Sequence, residues 1–293
     1  MAKVLYIKYS NSLLEDFIDF WNTSFADRRN FLKATLERIW DRCFGRKDFD
    51  PEGMFLAVQG EEIVGMGHAG FPTPIGVHAK TDQSVGVIHL LYVSARSRGH
   101  GIGSHLLNLC EEYLRGAKRI LIGIMDWKGW NPYYGAGQRS LLPLWGSSEG
   151  IGISSEDSET KQFLLNRGFT VFGKTVSMLT DLKSIRHDKL APTEIPIQKI
   201  PNRWIMCGGP LESPSSERWR GPCESHVYIE DGYIRGKIVT YSMEELVPGR
   251  EAIIDFMVEP AFRGRGIGSA LLRGALRSML QRGNKECELN TSP

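Results

Sequence analysis

The sequence predicts an α/β (α+β) protein made of two tandem units, and three observations lead there. A ten-residue segment occurs twice, as Arg98-Gly99-His100-Gly101-Ile102-Gly103-Ser104-His105-Leu106-Leu107 and as Arg263-Gly264-Arg265-Gly266-Ile267-Gly268-Ser269-Ala270-Leu271-Leu272. The copies differ only at His100/Arg265 and His105/Ala270. Each copy follows an apolar run of strand length and opens an amphipathic run of helix length. The chain has 293 residues, of which 41% are apolar and 24% charged, as expected for about two globular domains.

The elements follow in order. Val4 to Lys8 reads as a strand, and Leu13, Leu14, Phe17, Ile18, Phe20 and Trp21 repeat at helical spacing. Phe31, Leu32, Leu36, Ile39 and Trp40 predict a second helix. Met54 to Gln59 and Ile63 to Phe71 form a hairpin across Gly60-Glu61-Glu62. Val85 to Val93 is a long apolar strand, Gly101 to Arg115 the helix after the glycine turn, and Ile120 to Met125 the next strand. Asp126 to Ser158 is loop-rich and too long for a plain connector, so it is expected to shape a substrate pocket through Trp127, Trp130, Tyr133, Tyr134, Arg139, Trp145 and Glu149. Glu159 to Asn166 is a short helix stopped at Gly168, with closing strands at Phe169 to Phe172 and Thr175 to Leu182.

Lys183 to Pro201, with three prolines, reads as a linker, which sets the expected domains at 1–182 and 183–293. Ser213 to Pro222 is expected as loop. His226 to Glu230 and Tyr233 to Ser242 pair through Asp231-Gly232. Ala252 to Val258, Gly266 to Arg282 and Cys287 to Asn290 then repeat strand, helix and strand, and one offset separates both Val93 from Val258 and Arg98 from Arg263. No counterpart of the late helix and closing strands follows. The second unit is therefore expected to be incomplete at its C-terminus, because a sheet ending at Cys287–Asn290 would leave an unpaired edge.

Charge and cysteine content narrow the function classes. A net charge of +2 without a basic block argues against nucleic acid as a partner. Five scattered cysteines without a CxxC pair indicate neither a disulfide framework nor a metal site, and fit a reducing cytoplasm. The N-terminus lacks the apolar core of a signal peptide, and no apolar run approaches the roughly 18 residues of a membrane span.

The repeated turn is where chemistry enters. Glycines let backbone come close to an anion, and the first N–H groups of a helix converge on it, aided by the helix dipole. Arg98 and Arg263 add a guanidinium suited to phosphate oxygens. A dinucleotide fingerprint would need a glycine at the sixth position. Counting from Gly99 or Gly101 gives Ser104 or Leu106, and the second copy fails likewise at Ser269 and Leu271. A P-loop would need a lysine that is absent from both copies.

The arrangement strand, Val-x-x-x-x-Arg-Gly-x-Gly-Ile-Gly-Ser, helix resembles the acyl-CoA pyrophosphate loop of the GCN5-related N-acetyltransferases (GNAT). The likeness spans Val4 to Leu182 in the first unit and His226 onward in the second, and the tandem layout is similar to that of mycothiol synthases, though no residue points to that substrate. The resemblance implies, in each unit, a mixed, mostly antiparallel twisted sheet flanked by helices. It implies acetyl-CoA as co-substrate, cradled at Arg98–Ser104 and Arg263–Ser269, with a splayed strand whose backbone at Leu91, Tyr92 and Val93, and at Phe256, Met257 and Val258, holds the pantetheine arm. It also implies transfer of an acetyl group to a primary amine of a small molecule or peptide through a tetrahedral intermediate.

The first unit departs from the family pattern: Leu164 stands where a general-acid tyrosine is common, so Tyr133 or Tyr134 would have to substitute. His89 is a candidate base, expected by alternation on the strand face of Leu91 and Val93, and equally readable as a core histidine. In the second unit Glu288 is the candidate base, with Asp255 as another carboxylate. The alternative reading is a degenerate acyl-CoA-binding or scaffolding protein.

Overall fold

The structure is a computed structural model that describes residues 3–46, 49–71, 81–123, 140–148 and 152–291. Two compact units divide the chain. The first lies within residues 3–172, and the second comprises 173–291 together with Ser147 and Ser148. No helix among the described residues is long and apolar enough to cross a membrane.

In the first unit, β1 (Val4–Lys8), β2 (Met54–Gln59), β3 (Glu62–Gly70), β4 (Val85–Val93) and β5 (Arg119–Ile122) form one sheet in that order. All neighbours are antiparallel except β4 and β5. The helices are α1 (Leu14–Phe25), the short α2 (Leu36–Ile39), α3 (Ile102–Tyr113) and α4 (Ser158–Leu165). Leu106, Leu107 and Cys110 of α3 close a core with Phe55, Val64 and Ile88. On the opposite face, α1 buries Phe17, Trp21 and Phe25. The second predicted helix starts later than its periodicity suggests and continues past Ile39 as a π-helical turn, Trp40–Phe44. Leu32 donates its N–H to the Leu144 carbonyl at 2.8 Å, which holds residues 31–34 outside the helix, and Thr35 caps the helix start.

The second unit contains β6 (Val176–Asp181), β7 (Gln198–Ile205), β8 (Glu217–Glu230), β9 (Tyr233–Ser242), β10 (Arg250–Val258), α5 (Ile267–Gln281) and β11 (Glu286–Thr291). The sheet order is β6-β11-β10-β9-β8-β7, with β10 and β11 parallel. Asp231 and Gly232, at φ 53° and 78°, make the expected tight hairpin turn. Ile267, Leu271, Ala275 and Met279 of α5 pack on Ile238 and Ile253.

Four expectations are corrected here. Thr175 to Leu182 does not close the first sheet. As β6 it pairs antiparallel with β11, Asp181 against Glu286 through Val176 against Thr291, and so covers the β11 edge that the sequence left open. Phe169–Phe172 forms no strand. The expected loop at Ser213 to Pro222 and the end of the expected linker are both strand: β8 begins at Glu217, and β7 runs through Pro201. Pro201 is tolerated because the β7–β8 register shifts between Pro201 and Arg203, so the missing N–H falls at an irregularity on an edge strand.

Candidate functional site

The site of the first unit is built on β4. Its parallel pairing with β5 ends at Ile88 against Ile122, and the last five residues, His89 to Val93, run on past the β5 strand. The register with β3 slips at the same place: His68 pairs with Leu90 and Ala69 with Ile88, so His89 is the extra residue of a bulge. β10 repeats the device, since Ile253 pairs with Thr240 and Asp255 with Val239, leaving Ile254 extra. His89 and Ile254 hold the same place in the two copies.

At the end of β4 the chain turns through Gly99 and Gly101, at φ 77° and 79°, into α3. Gly101 is the left-handed residue before the helix, and no side chain caps the α3 N-terminus. The N–H groups of the first helical turn are thus left for an external partner. A Cβ built at Gly99 or Gly101 would meet nothing within 4 Å. Arg98 Nε donates to the Val93 carbonyl at 3.0 Å, fixing the turn to the strand end.

A cavity of about 460 Å³ runs from this turn along β4. On the α3 side it is lined by Arg98, Gly99 and Ile102 to Ser104; on the α1 side by Phe25, Arg28 and Trp145. Tyr92 marks the crossing. Its ring packs on Phe25 at 4.6 Å, and its hydroxyl donates to the Ser24 carbonyl at 3.1 Å. Leu91, Tyr92 and Val93 all line the cavity, whereas His100 does not.

His89 also lines the cavity and is 2% exposed. The bulge breaks the alternation assumed from the sequence. Ile88, Leu91 and Val93 all pack on the α3-side core, while the His89 ring packs on His68 with centroids 5.0 Å apart. Burial holds His68 down to about 3, so that ring is neutral at physiological pH. Leu164 of α4 is buried in the same core and borders the cavity, which confirms an apolar group at that helix position. Tyr134, with Trp127, Trp130, Tyr133, Arg139 and Glu149, lies outside the described residues. Trp145 is the one aromatic of that expected loop whose placement is described: it is buried and stacks at 4.4 Å on Phe25. Sequence reasoning missed Phe25 and Arg28, because nothing local at the end of α1 marks them as cavity-lining.

The second unit keeps the turn in different surroundings. Gly264 and Gly266 have φ of 76° and 79°, and Arg263 Nε donates to Val258 O at 3.0 Å, as in the first copy. Arg265 is tied to Glu230 at 2.7 and 3.1 Å, which sets a carboxylate beside the turn. A Cβ at Gly266 would stand 3.3 Å from Ile195 Cδ1. A 360 Å³ cavity does open at the β10–β11 splay, lined by Phe256, but neither Met257, Val258 nor any of Arg263, Gly264, Arg265, Gly266, Ile267, Gly268 and Ser269 borders it.

Glu288 does not border that cavity either. It is 1% exposed, and its carboxylate accepts from Ser148 N–H at 2.8 Å, Arg250 Nη1 at 3.2 Å and Asn290 Nδ2 at 3.4 Å. Those bonds occupy the lone pairs a base would use, so the geometry fits a structural anchor between β11, β10 and residues 147–148. Glu288→Gln is expected to cost about 1–3 kcal/mol of stability in urea unfolding. Unchanged stability in the variant would show that these bonds do not anchor the sheet.

All five cysteines are free. Burial pushes the Cys110 and Cys207 thiols up to about 12, which disfavours a thiolate nucleophile at either.

Comparison with known proteins gives the following. A profile of the Acetyltransferase (GNAT) family matches residues 11–127 and 196–293. No curated protein matches the sequence significantly. Among solved structures, the chain is similar to a tandem GNAT protein from the clavulanic acid biosynthesis pathway (TM-score 0.60, 14% identity, covering 99% of this chain and 90% of that one). It is also similar to a GCN5-related N-acetyltransferase from Sphaerobacter thermophilus (0.57, 16%, covering 99% and 87%). A third is the GCN5-related glucosamine N-acetyltransferase region of a fungal multi-domain GH3 β-N-acetylglucosaminidase (0.59, 15%, covering 100% of this chain), of which this chain spans 37%. At such identities these likenesses establish the fold.

Proposed function

The chain belongs to the Acetyltransferase (GNAT) family, and on that premise we propose that its first unit transfers an acetyl group from acetyl-CoA to a primary amine of a small molecule or peptide. The observation that carries this reading is the continuous cavity that joins an uncapped, glycine-turned helix start to the bulged, splayed end of β4. The residues fit the donor. Arg98 and the open backbone from Gly99 to Ser104 would hold the pyrophosphate, and the free side of Leu91 to Val93 the pantetheine arm.

Acetyl-CoA would supply the thioester carbonyl. The β4 backbone supplies N–H groups facing the splay, and one such donor on a developing oxyanion is worth about 10²–10³ in rate. His89 is the base of this reading: it borders the cavity at the bulge and takes the proton of the attacking amine. The carbon–sulfur bond then breaks as the amide forms. Leu164 leaves that position of α4 without a tyrosine hydroxyl, so the thiolate released from the carbon–sulfur bond is protonated by solvent.

Release of free CoA from acetyl-CoA, followed over a panel of primary amines, tests the assignment. Turnover is expected in the wild type, with a loss of about 10²–10⁴-fold in kcat for His89→Ala and little change in acetyl-CoA affinity. Leu164 also favours a second reading, acyl-CoA binding without transfer; tight binding with no turnover on any amine would establish it over the first.

A further inference from the structure

The α1 side of the cavity carries a feature the transfer reading does not use. Arg28 follows α1 and borders the cavity beside Phe25 and Trp145. Its Nε is shielded from solvent and has no hydrogen-bond partner, and no carboxylate among the described residues pairs with it. The other guanidinium on the wall, Arg98, has its Nε committed to the Val93 carbonyl. Asp157, also on the cavity wall, is committed to Thr160, from whose N–H and hydroxyl it accepts at 3.0 and 2.8 Å.

A shielded Nε–H without a partner is costly in a folded protein and is retained where a ligand completes it. Its fork matches a carboxylate in bidentate geometry. The surrounding wall is aromatic: Phe25 meets Trp145 at 4.4 Å and Tyr92 at 4.6 Å. On the α1 side Arg28 is the cation among these aromatic rings, and it balances one negative charge; a phosphate dianion would leave charge uncompensated there.

We infer that the acceptor is an amino acid with an apolar or aromatic side chain, its carboxylate held by Arg28 and its amine presented towards His89. The name acceptor rests on the transfer reading above; the carboxylate site does not.

The test pairs turnover with binding. Phenylalanine, phenylalaninamide and phenethylamine are compared as substrates of the full chain, and N-acetylphenylalanine and its amide as ligands by calorimetry in the presence of CoA. The free acid is expected to exceed the amide by roughly 10–100-fold in kcat/KM and in affinity. Arg28→Met should erase that preference and Arg28→Lys keep part of it. Thermal stability of Arg28→Met should equal or exceed the wild type, since the substitution removes an unsatisfied buried group; a merely structural arginine would lower it. Equal use and equal binding of acid and amide by the wild type, or a preference that survives Arg28→Met, overturns the inference. Arg28-dependent binding of the acid without any turnover keeps the carboxylate site and overturns the transfer reading instead.

Discussion

Gly101→Glu is expected to weaken acetyl-CoA binding by at least about 100-fold, while Gly266→Glu leaves it unchanged at one acetyl-CoA per chain. At φ 79° a side chain at Gly101 costs about 1–2 kcal/mol of backbone strain. The fold tolerates the volume, because a Cβ there meets nothing within 4 Å. The carboxylate would then occupy the space into which the first N–H groups of α3 point, and repel the pyrophosphate meant for them. The equivalent turn in the second unit already has Glu230 bonded to Arg265, and it does not line the 360 Å³ cavity of that unit. Sequence alone predicts two equal cradles; the geometry predicts one. Calorimetric stoichiometry of the two variants decides, and a stoichiometry of two that drops to one in Gly266→Glu would show that the second turn binds as well.

Asp255→Ala is expected to destabilise the second unit by about 3–5 kcal/mol in urea unfolding. Lys237 is 1% exposed, and its ammonium is bonded to Asp255, which also accepts from Trp204 Nε1 at 2.8 Å. Removing the carboxylate strands a charge that has no water to return to. Converting both partners together, Lys237→Met with Asp255→Leu, should recover most of the loss, since an apolar pair of similar volume avoids the desolvation cost altogether. The acetyl transfer proposed for the first unit serves as the control and should persist in urea concentrations that leave that unit folded. A loss below about 1 kcal/mol would mean that the ammonium reaches solvent, contrary to its burial.

The two predictions locate what was legible in the sequence. The glycine turns were, because positive φ and helix starts are local properties that residue type controls at the position itself. The apolar runs of β4, β10, α3 and α5 were found for the same reason, and both cradles have the expected backbone. The bulge at His89 was not, because it is a property of a pair of strands: only the pairing of Ile88 with Ala69 and of Leu90 with His68 shows that alternation slips there. Arg28 was invisible for a related reason. It borders the cavity only because residues 140–146 dock on the segment after α1, with Gly146 N–H on Arg29 O at 2.8 Å.

By itself the sequence determined a duplicated α/β chain with two acyl-CoA-type turns and an altered general-acid position at Leu164. Only the tertiary structure decided that β6 belongs to the second sheet, that Glu288 is bonded to Arg250 and Ser148, and that the first turn opens into a cavity along β4. The reason is physical. Backbone conformation and amphipathic period are encoded within a few residues, whereas strand partnership, buried charge pairing and cavities arise from segments far apart in the chain, whose local patterns are equally compatible with other partners.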